Sequence, residues 1–186
     1  LWSPLGFTTG AYRLTFSYPL VRSGYRNTLF ILLGALPLNL FLTLCCAYAL
    51  ASKGMKLKKP IVAVVMFTMF FNGGLIPNFL NVRSLGMYNT LWALIFPGSL
   101  SVYNAIIVKT ALEGIPESLS ESATIDGAND VYLLVRVLVP LILPTLAVIT
   151  LYYAVGHWNS WFSAVIYLSD NKLLPIQAVL RAILIE

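Results

Sequence analysis

The chain has 186 residues, of which 59% are hydrophobic and 10% charged, where soluble domains run at about 45–50% apolar and about 25% charged. That balance excludes a soluble globular enzyme and describes an integral membrane chain. The net charge of +5 sits on basic residues that are scattered or gathered in one short loop, so it serves topology rather than nucleic-acid binding.

Residues 1–27 mix Gly, Pro, Ser, Thr and aromatic rings without an apolar run long enough to span, and read as an extracytoplasmic segment. Arg13, Arg22 and Arg26 are cations on a side where cations are usually depleted. Residues 28–51 carry no charge and suffice, at about 1.5 Å per residue, to cross a bilayer core of about 30 Å. Pro37 predicts a kink within this span. Cys45 and Cys46 are adjacent, so their side chains diverge and read as packing residues rather than a disulfide. Lys53, Lys56, Lys58 and Lys59 follow with no acid, which places that loop in the cytoplasm.

The second span, 61–80, is interrupted by Asn72, Gly73 and Gly74 and then Pro77, so its outer part should be irregular. Irregular backbone at membrane depth suits a wet pathway, while small residues equally suit close helix packing. A short outer loop, 81–89, leads to a third span, 90–112, with Pro97 and Gly98 inside it. Asn104 there serves either as interhelical glue or as a substrate contact.

Residues 115–130 form a polar interruption bearing Glu117, Glu121, Asp126 and Asp130. Pro116 suits the first position of a helix, Glu117 its positive end, and Gly127 a left-handed stop. A second helix starts from Asn129 or Asp130. Ile115, Leu119 and Ala123 follow i, i+4, i+8, giving one narrow apolar face on a slim helix, the shape of a docking peg. A plain solvated loop is the alternative reading. The fourth span, 131–155, contains Pro140 and Pro144, which should bend it near the peg. It ends in Gly156, His157, Trp158, Asn159, Ser160, Trp161 and Phe162, where the tryptophans read as an interfacial belt or as a sugar-stacking outer gate. Residues 156–186 read as an outer loop.

Glu121-Ser122-Ala123, three residues, Gly127, nine residues, then Val137-Leu138-Val139-Pro140 resembles the Glu-Ala-Ala signature of binding-protein-dependent ABC importer permeases. Ser122, Val137 and Val139 depart from its Ala, Ile and Leu. The stretches around residues 70–80, 120–130 and 154–162 are similar to the carbohydrate-uptake branch of these permeases, in particular its polysaccharide and aldouronate subgroup.

That resemblance implies an all-α, polytopic membrane helical bundle of the type I ABC importer permease fold. Four of its six spans would be visible, the first and last lying outside this stretch, and all 186 residues would belong to one transmembrane domain. It implies import of a carbohydrate delivered by an extracytoplasmic solute-binding protein, beside a second permease subunit, in the multi-pass setting of a prokaryotic plasma membrane. The ATPase-coupling residues would be Glu117, Leu119, Glu121, Ser122, Ala123, Asp126, Gly127, Ala128 and Pro140. The substrate path would draw on Asn72, Gly73, Gly74, Asn104, His157, Trp158 and Asn159.

Chemistry of its own is not expected. One histidine and two apolar-run cysteines make no zinc site, no nucleophile elbow is present, and no phosphate-binding G-x-x-x-x-G-K-[ST] loop occurs. ATP and its magnesium would therefore be held by separate ABC ATPase subunits, and this chain would bind no cofactor. A secondary transporter would place ionisable groups at mid-membrane, and none is evident there. A non-transporting scaffold is excluded only by the docking signature.

Overall fold

The computed structural model describes Gly10, residues 18–52, Gly54 and residues 57–185. Residues 1–9 and 11–17 of the expected outer segment, and Lys53 and Lys56 of the basic loop, lie outside them. Every regular element among the described residues is helical.

Helix α1, Pro19–Ala51, runs unbroken through Pro37. It begins well before Thr28, the expected start of the span, so residues 19–27 of the expected extracytoplasmic segment are helical and continuous with it. Pro19 occupies the first helical position, where its missing N–H costs nothing. Arg22 and Arg26 ride on the exposed side while Val21, Gly24, Asn27 and Thr28 are buried, so charge does not end the helix. At about 1.5 Å per residue it is about 50 Å long, more than a bilayer core needs.

The expected second span is two helices, α2, Lys58–Phe67, and α3, Leu75–Ser84. A 3₁₀ turn, Thr68–Phe70, continues α2, and the axes of the two parts differ by 106°. The break falls on the Asn-Gly-Gly stretch: Gly74 has φ +89°, and Asn72 Oδ1 accepts its N–H at 3.0 Å. Within the expected third span only α4, Val102–Glu113, is α-helical. Residues 90–101 form a 3₁₀ turn at Leu91–Leu94 and a tight turn at Gly98, φ +77°, because Pro97-Gly98 interrupts the ladder.

Helix α5, Glu117–Ile125, precedes a helix that changes pitch repeatedly. It comprises α6, Asp130–Tyr132, a π-turn, Leu133–Leu138, and α7, Val139–Leu141. Pro140 has no N–H for the carbonyl of Arg136, which accounts for a widened turn immediately before it. After Ile142 comes α8, Leu143–Trp158, at 86° to the preceding part. The expected bend is thus a break between Pro140 and Pro144, and α8 continues past Val155 to Trp158. The expected outer loop is also helical, with α9, Trp161–Tyr167, and α10, Ile176–Ile185. By length and composition α1 is long and apolar enough to cross a membrane, as are the two bent pairs if each counts as one span. The region expected to form a third span does not meet that measure.

Two packed bodies are distinguishable. The first comprises Leu1–Leu33, Asn78–Pro97 and Gly156–Glu186, with a core of Val21, Ile176 and Val179 against Leu20, Trp158, Leu174 and Leu180. Polar bonds fix it: Asn27 Nδ2 donates to the carbonyls of Lys172 (2.7 Å) and Leu174 (3.2 Å), and Thr28 Oγ1 accepts the Ile176 N–H at 3.0 Å. Asn89, at φ 58°, accepts the N–H groups of Ser169 and Asp170 on one side-chain oxygen, each at 3.0 Å.

The second body comprises Gly34–Pro77 and Gly98–Val155. Its core joins Ala47, Val108, Leu112, Leu133, Leu138, Ile142, Leu146, Ile149 and Tyr153. Inside it the Tyr153 hydroxyl lies 2.8 Å from Thr43 Oγ1 and accepts the Ser101 N–H at 3.0 Å. One phenol thereby ties α1, α8 and the start of α4.

Candidate docking helix and the family it belongs to

Helix α5 is built by local chemistry at both ends. Pro116 stands at the N-cap with φ −56° and ψ 132°, one position earlier than expected, and Glu117 is the first helical residue. Its carboxylate there complements the positive end of the helix dipole. At the other end the Ala128 N–H reaches the Ala123 carbonyl (2.9 Å) and the Gly127 N–H the Thr124 carbonyl (3.0 Å). These two bonds, with Gly127 at φ +85°, form a Schellman closure, which a side chain at residue 127 would strain. Asn129 then caps the next helix, its Oδ1 accepting the Tyr132 N–H at 2.8 Å, and Asp130 opens it. Of the two starts the sequence left open, Asn129 is the cap and Asp130 the first helical residue.

The expected apolar face divides. Ile115 and Ala123 pack against the core, whereas Leu119 is 43% exposed and Ile125 85% exposed. Ile115 precedes the helix, so the 3.6-residue phase does not carry it onto the side of Leu119. Glu117, Glu121, Ser122, Asp126 and Gly127 are exposed, Ala128 is half-buried, and Pro140 is exposed on α7 behind the π-turn. The free side of α5 is therefore a mixed surface with two apolar side chains among acids and hydroxyls. The hydroxyls of Ser122 and Thr124 fold back onto the carbonyls of Ser118 and Ser120 at 2.8 Å, which keeps that surface slim.

Beside α5 lies a cavity of about 560 Å³ lined by Tyr48, Ser52, Lys58, Glu113, Glu117 and Ser120, among others. Glu113 holds two cations, Lys58 at 2.8 Å and Lys109 at 2.7 Å. Lys58 also donates to the Ala51 carbonyl at the end of α1. Hydrogen bonds from Lys109 and then Lys58 push the Glu113 carboxyl below its ordinary pKa. Sequence reasoning missed this cluster; the i, i+4 spacing of Lys109 and Glu113 was its only local signal.

The residues considered for a substrate path are dispersed. Asn72, Gly73 and Gly74 are exposed in the break, and Asn104 is buried in the first turn of α4. Trp158 packs against the core of its own body, His157 is half-buried, and Asn159 is exposed in the turn after α8. Sequence reasoning also missed the Thr43, Tyr153 and Ser101 junction, signalled by polar side chains inside apolar runs. It missed Arg181 too, whose guanidinium stacks 3.7 Å from the ring centre of Trp161. Among the described residues no group of His, Cys, Asp and Glu is placed to hold a metal ion.

The family described as binding-protein-dependent transport system inner membrane component matches residues 4–183. The chain belongs to this family. Among curated relatives it is 40% identical over 182 residues to the polygalacturonan/rhamnogalacturonan transport system permease protein YtcP of Bacillus subtilis (strain 168), covering 98% of this chain and 64% of that protein. It is 39% identical to protein LplC of the same strain, covering 98% and 62%. Among solved structures it superposes, with TM-score 0.91 and 32% identity, on a bacterial ABC transporter involved in the import of the acidic polysaccharide alginate. That match covers 96% of this chain and 64% of the other. The fold is therefore the all-helical one of ABC importer permeases, and the chain spans slightly under two thirds of the length of these relatives. Membership of an inner membrane family accounts for exposed side chains such as Leu33 (76%) and Phe70 (81%), which a soluble protein would bury.

Proposed function

We propose that this chain is part of the membrane subunit of an ATP-driven carbohydrate importer, and that α5 is the element that couples it to a separate ATPase. The observation that carries this reading is the exposed side of α5, with Leu119, Glu121 and Ile125 presented on a helix closed by the Gly127 turn, in a chain of this family. A helix held at both ends and bare on one side suits insertion into a groove of a partner. The ATPase subunits hold ATP and magnesium, a solute-binding protein delivers the saccharide outside, and a sister permease, identical or different, completes the path. The chain itself binds no cofactor and performs no catalysis.

In this reading the protein crosses a prokaryotic plasma membrane several times, with membrane lipid against its exposed apolar side chains. The loop of residues 53–59 and the segment 113–130 face the cytoplasm, and residues 81–89 and 163–186 face out. Asn72, Gly73, Gly74, Asn104, His157, Trp158 and Asn159 contribute to the substrate path. The breaks after Phe70 and at Ile142 transmit the movement of α5 to the spans.

The test uses Glu121→Lys and Gly127→Val in the full-length permease. A valine at φ +85° is strained by about 1–3 kcal/mol, so the peg points elsewhere, and a lysine at 121 inverts the charge offered to the groove. Both variants should reach the membrane at wild-type levels yet lose co-purification of the ATPase and sugar uptake. Full retention of both properties would make α5 an ordinary loop helix and remove the main support for the assignment.

A further inference from the structure

The segment that carries α5 leaves its body at Glu113, the last residue of α4, and returns at Asp130, the first residue of α6. A carboxylate thus stands at each root of the segment, and both are held at the end of α1. At the returning root the Tyr48 hydroxyl donates to Asp130 Oδ1 at 3.3 Å. At the leaving root Lys58, the first residues of α2 being Lys58 and Lys59, donates to Glu113 Oε1 and to the Ala51 carbonyl, each at 2.8 Å. Tyr48 and Ala51 are three residues apart and so share one face of the last turn of α1. The Lys58 ammonium also meets the negative end of the α1 dipole, where a cation is favoured.

These contacts are not what folds the body. The side-chain pairs lie at its exposed rim, where such pairs contribute little to stability, whereas Ala47, Val108 and Ile149 of the apolar core are fully buried. What the contacts fix is the stance of α5. Its first turns border the cavity of about 560 Å³ whose wall includes Tyr48, Lys58, Glu117 and Ser120, so apolar packing alone does not set that end. The helix that follows α5 is a poor lever, because it widens at Leu133–Leu138 and turns by 86° at Ile142. Helix α1 is continuous from Pro19 to Ala51. A displacement that reaches α1 is carried by a rigid element, while one that runs through the π-turn is partly absorbed there.

We propose that Tyr48 and Lys58 are positioning residues for coupling, which seat the two roots of α5 on the end of α1 so that a displacement of α5 moves α1 directly. This rests on the reading of α5 as the ATPase-coupling element and adds a route by which its movement leaves it, beside the break at Ile142.

The experiment uses the full-length permease assembled with its sister permease, ATPase and binding protein in lipid nanodiscs. Hydrogen exchange is compared between the nucleotide-free state and the state formed with ATP and vanadate, separately for residues 46–52 and for α5. In the wild type both segments should change their exchange rates between the two states. Y48F/K58M should keep the ATPase bound and keep the change in α5, while the change at residues 46–52 shrinks by about tenfold, the loss of a charge-assisted contact. K58R, which keeps the cation, should retain most of that change, and Y48F and D130N should each lower it without adding, since they remove the same bond. If the double variant does not assemble, Y48F is read in its place; loss of the ATPase from Y48F as well would overturn the proposal. An undiminished response at residues 46–52 in Y48F/K58M would also overturn it. A wild-type α5 that responds while residues 46–52 do not removes the proposal and leaves the coupling reading standing. A wild-type α5 that responds neither to the ATPase nor to nucleotide removes both.

Discussion

Gly24 shows how a single missing side chain holds one body together. Its Cβ position is 3.1 Å from the Ile176 Cα and 3.3 Å from the Ile176 nitrogen, both backbone atoms that cannot rotate away. Gly24→Val should therefore separate α1 from the start of α10 and cost about 1–3 kcal/mol, the usual scale of overpacking. The check is the thermal midpoint of the detergent-purified protein, which should fall for this variant and stay put for Gly156→Ala, where an added Cβ meets nothing within 4 Å. Glu113 is the electrostatic counterpart. Its carboxyl is held below the ordinary value by Lys109 and Lys58, so the charged form favours the fold. That stability is present above the unfolded pKa, about 4.3, and is lost as pH falls through the depressed folded value. The group is partly exposed, so solvent screens the effect and the shift in midpoint should be small. Glu113→Gln should lower the midpoint at neutral pH and converge with wild type in acid; a gap that does not change with pH would show that the ion pairs are not its cause.

Helices in this chain are joined by polar contacts placed inside apolar surroundings. The Tyr153 hydroxyl bonds Thr43 on α1 and the Ser101 N–H at the start of α4, while Tyr153 itself is 6% exposed. Tyr153→Phe leaves a buried hydroxyl and a backbone N–H without that partner, at about 1–3 kcal/mol for each group left unsatisfied. Its neighbour Tyr152 is 50% exposed and makes a suitable control. Hydrogen exchange at the first turn of α4 should accelerate in Tyr153→Phe and not in Tyr152→Phe. Equal exchange in the two variants would mean that α4 is held by its apolar face alone. The π-turn Leu133–Leu138 is a second element with a local cause, since Pro140 withholds one N–H from the ladder.

Taken together, the helices of this chain differ from simple rods in a lipid slab. α1 exceeds a bilayer's thickness, two further candidates are each broken at a sharp angle, and the stretch between Thr90 and Ser101 is largely not α-helical. Irregular backbone survives at membrane depth only against protein or water, so under the proposed function these breaks would face a sister subunit or a pathway. The proposed orientation makes a direct prediction. In the full-length permease in intact cells, a cysteine at Ser120 should resist an impermeant thiol reagent until the membrane is opened, and one at Asn171 should react at once. Reaction at Ser120 from outside would reverse the orientation, and with it the assignment of α5 to an ATPase.

The sequence by itself determined the features written in local chemistry. Asn72-Gly73-Gly74 stops a helix wherever it occurs, Gly127 accepts a positive φ, Asn129 caps the helix that begins at Asp130, and uncharged runs seek lipid; each was legible without a partner. The family signature was legible for the same reason, because its spacing is that of one turn between two helices. Tertiary structure decided what depends on who packs against whom. The lack of a long apolar run before Thr28 put the start of the first span there, yet burial of Val21, Gly24, Asn27 and Thr28 opposite Arg22 and Arg26 extends α1 back to Pro19. Ile115, Leu119 and Ala123 looked like one stripe, but only the core chooses two of them and leaves Leu119 free. Residues 161–185 looked like a loop because their apolar positions find a core only where Gly24 lets Ile176 approach α1 and Trp158 joins it. Local propensity acts over a turn of chain, whereas burial acts between segments about 150 residues apart, and no reading of neighbours along the chain contains that information.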